Sequence, residues 1–160
     1  MLELQLFSVI ILLQLRGMMM KKLLFAVLAL ALAGCSTTPT PSDSAKPVPQ
    51  SRILWNSQGD SVLTITRDKG WFAGGGCFVT VIVDGETVAR MDTGESITIK
   101  VNPGRHILAI TGDKEGKGLC GFQIGQPIKE NATEIKPKEI QKYRITGDTS
   151  SGLDLRPTTI

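Results

Sequence analysis

One histidine, one tyrosine and three cysteines among 160 residues leave little material for catalysis. A general base, a nucleophile with its partner or a metal cluster each needs a group of such residues, and His106 with two spare cysteines does not supply one. Ser, Asp and Glu are scattered without a nucleophile-elbow pattern. Gly74-Gly75-Gly76 has no Gly-Lys-Ser or Gly-Lys-Thr after it and leads into a strand, so the helix N-terminus that a phosphate loop requires is missing. Aromatics make up only 5% of the chain, and neither charge sign dominates, the formal net charge being +3. A long hydrophobic run is also missing. Leu23 to Ala33 gives 11 residues, against the roughly 20 that a membrane-spanning helix requires.

That short run has a different reading. In Met20 to Cys35, MKKLLFAVLALALAGC, Lys21 and Lys22 form a positive n-region, Leu23 to Ala31 an apolar h-region, and Leu32-Ala33-Gly34 precede a cysteine. This is the pattern of a bacterial lipoprotein signal peptide with its lipobox, in which Cys35 accepts a diacylglyceryl group and becomes the first residue of the mature chain. Residues 1–34 are the expected signal peptide, with translation starting near Met20 rather than Met1. Ser36 after the cysteine, in place of Asp, implies sorting to the outer membrane. Removing residues 1–34 takes Arg16, Lys21, Lys22 and Glu3, which leaves a formal net charge of +1. A near-neutral domain outside the cytoplasm gives no electrostatic case for nucleic acid.

Next, Ser36 to Gln50, STTPTPSDSAKPVPQ, holds four prolines and six Ser or Thr residues in 15 positions. Such a composition buries too little apolar surface to offset its ordering entropy, so residues 35–51 are expected to be a disordered tether reaching up to roughly 45 Å from the bilayer. The folded domain is expected over residues 52–160.

There the periodicity is that of strands. Leu63 and Ile65 alternate with Thr64 and Thr66 in Ser61–Arg67, and Ile97, Ile99 and Val101 alternate with Thr98 and Lys100 in Glu95–Val101. Cys77 to Asp84, CFVTVIVD, is apolar on both faces and reads as a central strand. Asp84-Gly85 suits a type I′ turn into a return strand, Glu86–Met91. Asn102-Pro103-Gly104-Arg105 suits a type II turn ahead of a strand from His106 to Thr111, in which His106 is expected to be an exposed strand residue. Gly112 to Gly118 reads as a loop without the acidic spacing of a calcium site. Short edge strands are expected around Ile135 and around Tyr143 and Ile145, and a further one at Leu153 to Arg156 unless that tail frays. The class predicted is all-β, a small antiparallel β-sandwich or partly closed barrel.

Cys77 and Cys120 remain once Cys35 is lipidated, and an even pair in an oxidising compartment predicts a disulfide. A reactive thiol is the rival, which no neighbouring basic residue in sequence supports. Trp71 and Phe72, before the three glycines, are the candidate partner-binding loop; two adjacent aromatics in an extended segment cannot both face inward. Capping the open end of the sandwich is the alternative role.

The segment Val79 to Ile110, VTVIVDGETVARMDTGESITIKVNPGRHILAI, resembles the PEGA-type domain of bacterial envelope lipoproteins at Val83, Asp84, Gly85, Pro103, Gly104, Arg105 and His106. A glycine common to that family after the later proline is Lys138 here. The resemblance implies a small β-sandwich without enzymatic activity. The expected function is an outer-membrane-anchored, non-enzymatic lipoprotein that needs no cofactor or metal, presenting its domain to an envelope protein or to peptidoglycan. An inhibitor or immunity-type lipoprotein blocking a toxin or lytic enzyme is the alternative.

Overall fold

A computed structural model of the chain divides into Met1–Gly34 and Cys35–Ile160. It describes residues 37–56, 58–70, 76–113, 115–116, 120, 128–148 and 152–160, all in the second unit. The expected signal peptide, Cys35, Trp71 and Phe72 lie outside the described residues.

Among the described residues, nine strands follow in order: β1 Lys46–Pro47, β2 Ser61–Arg67, β3 Val79–Val83, β4 Glu86–Met91, β5 Glu95–Val101, β6 Gly104–Gly112, β7 Lys129–Ile135, β8 Ile140–Asp148 and β9 Gly152–Pro157. They form two sheets, β1-β5-β2-β8-β9 and β4-β3-β6-β7. The expected sandwich is thus the architecture, and the open choice between sandwich and barrel resolves to two packed sheets. The core between them follows the alternation read from sequence: Leu63, Ile65, Val79, Val81, Val83, Ile97, Ile99 and Val101 are all buried.

The β3–β4 connection is the predicted two-residue hairpin, with Asp84 at φ 51° and Gly85 at φ 84°, the paired left-handed residues of a type I′ turn. β4 carries one extra residue opposite the Val81/Ile82 step, and this bulge lets both Val88 and Ala89 be buried. Cys77 and Cys120 are disulfide-bonded. The C-terminal tail pairs with β8 as β9.

Three expectations need correction. The segment from Thr37 to Trp55 is not a free tether. Thr38 bridges Lys69, β1 pairs in parallel with β5, Val48 enters the core, and Ile53 bridges Ala89 on β4. This strap spans from one sheet to the other along an open side of the sandwich. Composition misjudged it because its few anchoring groups are spaced far apart: Thr40 (buried against Asp68), Val48, and Arg52 (bidentate to Glu95). Its prolines cost little, since an edge strand needs hydrogen bonds on one side only. The sheet is also not wholly antiparallel, because β2 and β8 pair in parallel over Val62–Arg67 and Ile140–Ile145. Consequently the strand containing Tyr143 and Ile145 lies inside the five-stranded sheet, between β2 and β9, and is not an edge.

The strand registers define two ends. Thr38, Lys69, the turn before Glu95, Gly147, Met91, Gly112 and the disulfide share the first end, where the buried Arg67 guanidinium crosses between sheets to the carbonyls of Cys77 (2.8 Å) and Met91 (2.7 Å). Burial pulls the Arg67 pKa down to about 10 against the opposing effect of Asp92 and Glu95, so it stays charged at neutral pH. The Asp84-Gly85, Asn102-Pro103 and Pro137-Lys138 turns share the opposite, distal end.

Candidate functional site

The distal end carries a cleft of about 330 Å³ lined by Trp55, Asn56, Gln58, Asp84, Glu86, Val101, Asn102 and His106. Each wall has a local cause. Trp55 ends the strap: its ring packs against the core, and its indole N–H donates to the Lys100 carbonyl at 3.2 Å, which fixes the ring beside β5. Gly59 closes the return of the loop at φ 113°, where a Cβ would lie 2.1 Å from the Val101 carbonyl oxygen, so no other residue lets this loop approach β5 as closely. Glu86 is exposed at the start of β4.

The floor is made by two turns joined through one side chain. His106 Nδ1 lies 2.6 Å from Asp84 Oδ2 and Nε2 lies 2.7 Å from the Asn102 carbonyl, while the other Asp84 oxygen accepts the Ile107 amide at 2.8 Å. Both partners of the ring are acceptors. A neutral imidazole donates only once, so the arrangement is satisfied by the imidazolium. Burial, the largest single influence, works against that charge; the hydrogen bonds to Asp84 and Asn102, with the charges of Asp84 and Glu134, outweigh it and hold the His106 pKa above its ordinary value.

His106 therefore differs from its expected role as an exposed strand residue: its side chain is only 12% exposed. The motif residues Asp84 and His106, 22 positions apart, meet here as a brace. With both nitrogens committed, the ring has none free to take a proton from a substrate. Trp55 was not singled out from sequence. The signal available was an aromatic just ahead of the Asn-Ser-Gln-Gly-Asp turn, but nothing local says that the strap carries it to β5.

A second depression, of about 270 Å³, lies toward the first end beside the disulfide, lined by Phe78, Arg90, Asp113 and Glu115 among others. The Phe78 ring lies near two guanidinium groups, Arg52 at 4.5 Å and Arg90 at 5.3 Å from its centroid. Asp113 holds Arg90 through both oxygens, at 2.9 and 2.7 Å, and Glu115 adds a contact at 2.6 Å. Its charges are mutually satisfied, which marks it as a structural clasp for the segment after β6. Among the described residues, no three His, Cys, Asp or Glu side chains converge as a metal site.

Compared with known proteins, the chain matches no family profile, no curated protein and no solved structure.

Proposed function

We propose that this chain is a lipid-anchored, non-enzymatic lipoprotein of the bacterial outer membrane whose sandwich binds a component of the cell envelope, an envelope protein or peptidoglycan, through the Trp55 cleft. The observation that carries the reading is polarity. The cleft opens at the end opposite Thr37, only two residues after the lipobox cysteine, so a domain held through Cys35 would offer the cleft away from the bilayer. An aromatic wall with amide and carboxylate side chains around it is the usual composition of a recognition site. Exposed Leu54 and Ile140, at 60% and 66%, add apolar surface near the same end.

In-cell crosslinking followed by affinity purification tests this. Trp55→Ala and the surface variant Glu86→Lys are compared with the wild type and with a Trp71→Ala, Phe72→Ala double variant. A discrete partner lost in both cleft variants, with melting temperature nearly unchanged in Glu86→Lys, supports the cleft. A partner lost only in the Trp71, Phe72 variant moves the contact to that segment, and one lost in none of them rejects both.

A further inference from the structure

The strap changes what a lipid on Cys35 would do. A 15-residue tether would let the domain sample a large volume above the membrane, but the fold begins almost at the cysteine. The Thr37 amide donates to the Gly147 carbonyl at 3.0 Å, and its hydroxyl accepts the Gly147 amide at 2.9 Å. Thr38 and Lys69 exchange both backbone hydrogen bonds, at 2.7 and 3.1 Å. Asp68, buried beneath them, accepts the Thr40 amide at 3.1 Å and lies 3.2 Å from Arg144. From Cys35 to Thr37 is two residues, which at full extension is about 7 Å.

We propose that the lipid bilayer is itself the partner of the first end of the sandwich: the surface formed by exposed Thr38 and Lys69 and half-buried Thr37 rests on the headgroups. This rests on the reading of Cys35 as lipidated. With Thr37 and Thr38 bonded to the fold, two residues of chain hold this end within about 7 Å of an acylated Cys35. Ile128, 59% exposed and next to Lys129 at the same end, adds an apolar contact for the interface. β6, Gly104–Gly112, runs nine residues from the distal end to this one. At about 3.3 Å per residue, the cleft is then held roughly 30 Å from the headgroups by a rigid body, not by a tether.

Depth-dependent quenching distinguishes the two arrangements. The full lipidated protein is placed in phosphatidylethanolamine and phosphatidylglycerol vesicles with a nitroxide on a fraction of headgroups, carrying one fluorophore at Lys69→Cys, Thr38→Cys or Glu86→Cys. Mass spectrometry confirms the acyl groups on Cys35 in the same samples. The expected result is quenching several-fold stronger at Lys69 and Thr38 than at Glu86, with the difference abolished by a 15-residue Gly-Ser spacer between Ser36 and Thr37. Equal quenching at both ends, with Cys35 acylated, overturns the seated arrangement and leaves the anchor standing. Absence of acyl groups on Cys35 overturns the anchor and the seated arrangement together.

Discussion

His106 is the residue through which the distal end responds to pH. Its pKa is raised on folding, so its stabilisation is complete below the unfolded value of about 6.5 and is lost as pH rises through the higher folded value. The wild type is expected to exceed His106→Ala by about 1 kcal/mol at pH 5.5 in urea denaturation, as suits a charged hydrogen bond whose partner is partly exposed. The gap should narrow by pH 8.5. A constant gap across that range would show that packing alone, and not the charge, accounts for His106. Lys138 illustrates the opposite kind of residue: it sits at φ 61°, a left-handed conformation suited to glycine. Its partners in the turn, Lys136 and Glu139, close the loop with the Glu139 amide donating to the Lys136 carbonyl at 3.1 Å, so the turn survives the unfavourable residue.

Among the elements, the strap departs furthest from its composition. It is held at intervals by Thr38, Thr40, β1, Val48, Arg52 and Ile53, with proline-rich chain between these points. β1 also protects the sheet: its outer edge ends in Pro47, which cannot donate to an added strand. Val48, 6% exposed, is the one aliphatic side chain of Ser36 to Gln50 in the core. Val48→Ala is expected to cost about 2 kcal/mol in global stability and to raise amide exchange in Thr37–Ile53 ahead of β2 and β3. A tether would show neither effect, so unchanged stability together with fast exchange in the wild type would contradict the packed strap.

At the scale of the whole molecule, both open sides of the sandwich are dealt with differently. The strap covers the β5 and β4 side, whereas β9 approaches β7 on the other, where the Asn131 side chain donates to the Leu155 carbonyl at 2.7 Å. The Cys77–Cys120 bond closes a sequence separation of 43 residues and fixes the segment after β6 to the start of β3. Replacing both cysteines by alanine is expected to lower unfolding free energy by about 3 to 4 kcal/mol, chiefly by enlarging the unfolded ensemble. Denaturant titration measures this, and an unchanged midpoint would mean that the cross-link adds nothing to the Arg90–Asp113 ion pair.

The sequence by itself determined the strand class, the inward sets on β2, β3 and β5, the Asp84-Gly85 hairpin and the cysteine pairing. These follow from alternation, turn stereochemistry and counting, all of which are local or compositional. Only the tertiary structure decided the parallel β2–β8 pairing, the packed strap and the Asp84–His106–Asn102 brace. The physical reason is common to all three. Each draws its free energy from hydrogen bonds and burial between groups far apart in the chain, such as Thr37 with Gly147 or Asp84 with His106, and no window of neighbouring residues contains both partners.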